Sequence, residues 1–191
     1  VIRTAQALGY DGYQQLRVAL TQEIAQRPRQ LPGVDSTYVG RMSAEIASFS
    51  NYLHGLTTLL NEKELTATVE SLVGAKRALI VGNGLSAPLA QTMALRLTSI
   101  GRPAEFVGEA TGQHIAATQL DSECVCLVVS GSGSTTLTLK AATAAHASGA
   151  AIIALTSFTS SPLADLATYT LVIPSPDGTF RAELADASRV A

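Results

Sequence analysis

Apolar residues recur in two rhythms along this chain, and the change falls near Lys76. Before it the spacing is helical. Ile2, Ala5 and Leu8, and then Tyr13, Leu16, Ala19, Leu20 and Ile24, repeat at three and four residues, which gathers side chains on one helix face. Gly9-Tyr10-Asp11-Gly12 breaks this run with a glycine stop and an Asp start signal. Pro28, Pro32, Gly33, Asp35 and Ser36 mark a linker over 28–40. Helical spacing returns over 41–73, enough for two helices, with Ile46, Phe49, Leu53, Leu56 and Leu60 on one face and Leu65, Val69 and Leu72 on the next.

After Lys76 short apolar runs take over: Ala78–Val81, Ala104–Val107, Cys124–Val129, Ala151–Leu155 and Tyr169–Ile173. Helix-like stretches separate them at Ala87–Ile100, Gln113–Gln119, Leu137–Ala147 and Pro162–Ala167. Strands alternating with helices predict an α/β fold, a doubly wound five-stranded parallel sheet preceded by helices. Ligands of such sheets bind beyond the carboxyl ends of the strands, so the loops after the strands are where chemistry is expected.

Composition narrows the classes. The 191 residues are 47% hydrophobic and 15% charged, the opposite of a disordered chain. Mean hydropathy is +0.25, yet no apolar run approaches the roughly 20 residues of a membrane helix. A net charge of -2 offers no whole-chain attraction to nucleic acid. With 5% aromatics and no Trp, base-stacking platforms are disfavoured. The apolar excess suits strands buried on both faces or a large subunit interface. No secretory leader pattern opens the chain, which does not start with Met, and an upstream segment is expected. Cys124 and Cys126, two apart in a strand, should share one face as reduced core thiols, which suits a cytoplasmic location. No metal-ligand cluster is spaced around them.

Three loops carry the candidate chemistry. Gly82-Asn83-Gly84-Leu85-Ser86-Ala87 follows the first strand and matches the G-x-G-x-x-A dinucleotide fingerprint, with Glu105 about one strand-helix-strand step on; a tight turn with Ser86 as helix cap is the structural alternative. Ser130-Gly131-Ser132-Gly133-Ser134-Thr135 follows the third strand. Its glycines allow close backbone approach to an anion, its N–H groups and the following helix start supply donors, and its hydroxyls add more. It lacks the Gly-Lys-Ser/Thr of a nucleotide triphosphatase loop. After the fourth strand, Ser160 or Ser161 before Pro162 reads as a helix cap.

These loops, with Ala154-Leu155-Thr156 and Ser161-Pro162-Leu163-Ala164, resemble the sugar isomerase (SIS) domain over roughly residues 65–175. The resemblance implies a flavodoxin-like strand order. It also implies that Ser86, Ser130, Ser132 and Thr135 hold the phosphate of a phosphosugar, with backbone donors from Gly131, Gly133 and Ser134. Glu183, in the final helix-like stretch Phe180–Val190, is one the family can bring over the ligand. Residues 1–24, with the Leu8-Gly9-Tyr10-Asp11-Gly12-Tyr13 run, look like the end of the helix-turn-helix of RpiR-type transcriptional regulators, which places Arg3 in a DNA-binding role. On that likeness the chain divides into a partial helix-turn-helix at 1–27, a linker at 28–40 and a SIS domain with leading helices at 41–191.

The expected function is therefore a non-enzymatic, sugar-phosphate-responsive transcriptional regulator, homodimeric or homotetrameric, with DNA and a sugar phosphate as partners and no cofactor, metal or membrane. Two other readings compete. A phosphosugar aldose–ketose isomerase would need a base and acid, for which Glu109, His114 and Glu183 are the candidates. A nicotinamide-cofactor domain explains Gly82–Ala87 but leaves the Ser130–Thr135 loop without a role.

Overall fold

A computed structural model describes residues 37–57 and 61–173. Two helices lead: α1 (Tyr38–Thr57) and α2 (Glu62–Gly74). Thr37 opens α1 by accepting the Gly40 N–H at 3.0 Å on its hydroxyl, so the helix starts three residues before the end of the expected linker. Asn61 caps α2 by accepting the Glu64 N–H at 3.2 Å, which satisfies one of the orphan donors of a helix start.

Strands and helices then alternate: β1 (Arg77–Gly82), a short 3-10 turn (Gly84–Ser86), α3 (Ala87–Ser99), β2 (Ala104–Phe106), α4 (Ala110–Ala117), β3 (Cys124–Val129), α5 (Thr136–Ala147), β4 (Ala151–Thr156), α6 (Pro162–Leu166) and β5 (Tyr169–Val172). All five strands are parallel, in the order β2-β1-β3-β4-β5. The expected doubly wound sheet and its strand order are both found. The differences lie at element ends. The strand expected over Ala104–Val107 stops at Phe106, and the helix expected from Gln113 begins three residues earlier because Glu109 caps it.

Period-two side-chain alternation divides the core. Leu79, Val81, Cys126, Val128, Ile152 and Ala154 face Ala117 of α4, Ala141, Ala142 and Ala145 of α5 and Leu163 of α6. Ala78, Ile80, Val125, Leu127, Ile153 and Leu155 face Leu89, Ala90 and Ala94 of α3 and Leu72 of α2. Burial on both faces explains why β1, β3 and β4 read as unbroken apolar runs. The small alanines of α3 and α5 let those helices lie close on the sheet.

Both cysteines belong to the first of these layers. Burial pushes the Cys126 thiol up to about 12. Burial also raises Cys124, and its thiol donates to Asp121 Oδ1 at 3.1 Å. A thiolate is the reactive form, so Ellman's reagent at pH 8 should label neither thiol in the native protein and both after denaturation. Rapid native labelling would contradict this packing. Among the described residues no group of three His, Cys, Asp or Glu is placed to hold a metal, and no helix is long and apolar enough to cross a membrane.

Candidate functional site

The chain runs from β1 to β2 on one side and then crosses back from β2 to β3 on the other side of β1, so the reversal point lies between β1 and β3. Parallel register brings the loops there to one level: Gly82 pairs with Val129, and Val129 with Leu155. With adjacent strands about 4.8 Å apart, the loops that begin at Asn83, Ser130 and Ser157 emerge side by side at the edge where ligands of this architecture bind.

The Ser130–Thr135 loop forms a cup built by backbone bonds. Ser130 N–H extends the ladder to Leu155 O at 3.0 Å. Gly133 N–H closes a turn onto Ser130 O at 3.0 Å, Ser157 N–H bonds Gly131 O at 3.0 Å, and Leu163 N–H bonds Gly133 O at 3.0 Å. Thr156, itself buried, donates its hydroxyl to Gly131 O at 3.0 Å. Gly133 has φ +60, and a β-carbon there would fall 2.2 Å from Ser161 Oγ. Only glycine fits both requirements.

The expected ligand groups are distributed unevenly. Gly131 and Ser132 have N–H groups with no acceptor among the described residues. Thr135 is the residue before α5 and makes no side-chain cap, so the open first-turn N–H groups of α5 face the same loop with their partial positive charge. Gly133 differs from expectation: its N–H is engaged by Ser130 O instead of being an open donor. Ser134, which is exposed, bonds within its own loop, its hydroxyl donating to Ser132 O at 3.1 Å and its N–H to Ser132 Oγ at 3.4 Å. Ser130 is 3% exposed, and its Oγ is buried with no hydrogen-bond partner among the described residues. Ser86 is partly buried just before α3 and makes no capping bond. Glu183 and Arg3 lie outside the described residues.

The isomerase candidates are committed elsewhere. Glu109 caps α4 by accepting the Thr111 and Gly112 N–H groups at 2.9 and 2.8 Å. These backbone bonds hold its carboxyl below the usual range. A general base poised near neutrality needs the opposite shift. His114 sits within α4, and its Nδ1 lies 3.3 Å from Lys140 O on α5. The ribose-binding reading of Glu105 also fails: it pairs with Arg77 from the middle of β2.

Sequence reasoning passed over a buried polar cluster behind the loops. Gln113 is fully buried. Its Nε2 donates to Gly82 O at 3.1 Å and Val107 O at 2.8 Å, and its Oε1 accepts from Asn83 Nδ2 at 3.0 Å. Asn83 Nδ2 also donates to the buried Thr138 Oγ1 at 3.1 Å. The available signal was a glutamine at 113 in register with the apolar positions 117 and 120. A polar residue on a core-facing stripe requires buried partners.

Comparison with known proteins agrees with the fold. The SIS domain pattern matches residues 71–188. An uncharacterized HTH-type transcriptional regulator of Caldanaerobacter subterraneus subsp. tengcongensis is 30% identical over 100% of this chain and 68% of its own length. A 3-hexulose-6-phosphate isomerase of Mycobacterium gastri is 32% identical over 63% of this chain and 58% of the enzyme. Among solved structures, Vibrio vulnificus NanR complexed with ManNAc-6P superposes with a TM-score of 0.78 at 26% identity, covering 100% of this chain and 70% of NanR. The chain thus spans about two thirds of the regulators it resembles. It belongs to the SIS-domain family, and the relative it matches along its whole length is an HTH-type transcriptional regulator.

Proposed function

We propose that this chain is the effector-sensing part of a transcriptional regulator, in which the SIS domain binds a sugar phosphate and that binding changes the hold of attached DNA-binding segments on an operator. The observation that carries the reading is the Ser130–Thr135 cup. Two N–H groups without an acceptor among the described residues, a helix start and the partnerless buried hydroxyl of Ser130 all belong to this one segment, at the reversal point of the sheet, and support the reading. Ser86, Ser132 and Thr135 supply further hydroxyls, Gly131 and Ser134 surround the phosphate with backbone, and Gly133 shapes the cup. Glu183 is assigned to the sugar end. Residues 1–27, with Arg3, form part of the DNA-binding segment, 28–40 the linker and 41–191 the sensing domain. The solvent-facing Tyr38, Val39, Met42 and Ile46 of α1 support a homodimer or homotetramer, since such a stripe gains from being covered. Two free buried thiols suit the cytoplasm.

A thermal-shift panel of sugar phosphates followed by calorimetry tests this reading; no stabilisation by any member would remove it. Ser130→Ala gives a sharper result. A buried hydroxyl without a partner costs about 1–3 kcal/mol. The ligand-free variant should therefore be about 1 kcal/mol more stable, yet bind sugar phosphate about tenfold more weakly. Ser132→Ala should lose about 1–3 kcal/mol of binding without the gain in stability. Unchanged affinity in both would exclude the loop from phosphate contact.

The isomerase likeness favours a second reading, an aldose–ketose isomerase. Glu109 and His114 are held as described, which leaves Glu183 as its remaining candidate. Turnover of hexulose or pentulose phosphates, abolished by Glu183→Gln, would establish it.

A further inference from the structure

Gly82 O and Val107 O are backbone carbonyls and can only accept. Gln113 must therefore turn its NH2 toward them, at 3.1 and 2.8 Å. That orientation leaves Gln113 Oε1 facing Asn83, so Asn83 must present its NH2 there, at 3.0 Å. The second Asn83 N–H goes to Thr138 Oγ1 at 3.1 Å. An amide has two N–H donors, and both are now used. The direction of the Asn83 amide is thus set by two backbone carbonyls, of its chain neighbour Gly82 and of Val107 beyond β2, through a glutamine with no solvent exposure. What Asn83 has left to offer is its carbonyl oxygen, which has no partner among the described residues.

Its position gives that oxygen a use. Asn83 is the first residue beyond β1, only partly buried, beside the first residue beyond β3, Ser130. Thr138 lies three residues along from Thr135, which precedes α5, or about 4.5 Å of helix rise. The Asn83 amide therefore sits about one helical turn from the phosphate cup.

We infer that Asn83 is a specificity-determining residue of this site, a pre-oriented acceptor that selects ligands carrying a hydrogen-bond donor, a sugar hydroxyl or an amide N–H, beside the phosphate. Gln113 is its positioning residue. The inference rests on phosphate binding at the Ser130–Thr135 loop and adds what distinguishes a sugar phosphate from bare phosphate. Pre-orientation matters because a side chain already fixed loses no rotamer freedom on binding. It also rejects ligands that place an acceptor there, since the amide cannot turn over without setting its oxygen against that of Gln113.

The test compares calorimetric affinities of the native chain, Asn83→Ala and Asn83→Ser for ManNAc-6P, fructose 6-phosphate and inorganic phosphate. The native chain should bind at least one sugar phosphate more tightly than inorganic phosphate. Both variants should lose about tenfold in affinity for that sugar phosphate and keep their affinity for inorganic phosphate. An unchanged preference in the variants, or an equal loss for sugar phosphate and phosphate, would overturn the role of Asn83 while leaving the phosphate cup standing. A native chain that binds phosphate but prefers no sugar phosphate would overturn it equally. A native chain that binds none of the three would remove the cup and this inference together. Should both Asn83 variants fail to fold, Thr138→Val provides the same comparison by removing one of the two acceptors; it should narrow the sugar-phosphate preference, and an undiminished preference would count against the inference.

Discussion

Gly133→Ala should abolish sugar-phosphate binding and lower the thermal midpoint by roughly 10 °C. Two independent costs meet at this residue. Its φ of +60 lies in the left-handed region, where a non-glycine residue costs on the order of 1 kcal/mol or more. A β-carbon would also sit 2.2 Å from Ser161 Oγ, 2.6 Å from Ser161 Cβ and 3.2 Å from Thr156 Oγ1. Neither neighbour can retreat cheaply. Ser161 accepts the Ala164 N–H at 3.2 Å as the cap of α6, and Thr156 donates to Gly131 O at 3.0 Å. Relief of the overlap would have to move the loop itself, breaking the Leu163–Gly133 and Ser157–Gly131 backbone bonds that hold the cup to β4 and α6. A total of about 3–5 kcal/mol follows from overpacking plus strain, and each kcal/mol moves the midpoint of a domain this size by about 2–4 °C. Gly84→Ala is the control. Its φ of +58 is similar, but a β-carbon there meets nothing within 4 Å, so it should cost only about 1 kcal/mol. Equal melting shifts for the two variants would show that the contact with Ser161 is not what confines position 133.

Gln113→Leu should be almost as damaging, although leucine is close in volume and apolar. The side chain it removes serves Gly82 O, Val107 O and Asn83 Nδ2 at once. Leucine leaves two backbone carbonyls and an amide hydrogen without that partner in the interior. At about 1–3 kcal/mol for each unsatisfied buried group, partly relieved by relaxation, the expected loss is about 3 kcal/mol in chemical denaturation. Gln113→Glu should be no milder near neutral pH. An ionised carboxylate would set oxygen against the carbonyls of Gly82 and Val107, and burying a charge against such partners is costly. Its folded-state pKa would be raised, so the variant should recover stability as pH falls toward and below the ordinary carboxylate range. Gln113→Leu, with nothing to titrate at that position, should show no such recovery. A Gln113→Leu protein with native stability would mean that water or a rearranged side chain replaces all three bonds.

These two positions were not equally legible beforehand. The glycine-rich serine loop after β3 stood out because small residues and hydroxyls between a buried strand and a helix have few purposes other than close contact with an anion. What each of its groups does was not legible. Gly133 was expected to offer its N–H outward, and instead uses it to close a turn, because the loop must also reach Ser161 and Leu163 on a segment nearly thirty residues away. Gln113 and Asn83 were passed over because each looks ordinary in its own neighbourhood. One reads as a helix residue and the other as a turn residue, and their chemistry appears only when three elements meet. The contacts of Glu109 and His114 were not legible for a related reason. A carboxylate just ahead of a helix is captured by the nearest backbone N–H groups, and a histidine in a helix meets whatever helix packs beside it.

Local pattern alone determined the alternation of strands and helices, the parallel sheet and the place of the glycine-rich serine loop, because hydrophobic period and glycine placement act over a few residues and express themselves wherever the segment sits. Tertiary structure decided which N–H groups remain open, which hydroxyl lies buried without a partner and which way the Asn83 amide faces. A hydrogen bond between residues thirty or more positions apart depends on how strands register and helices dock, and no spacing along the chain records that.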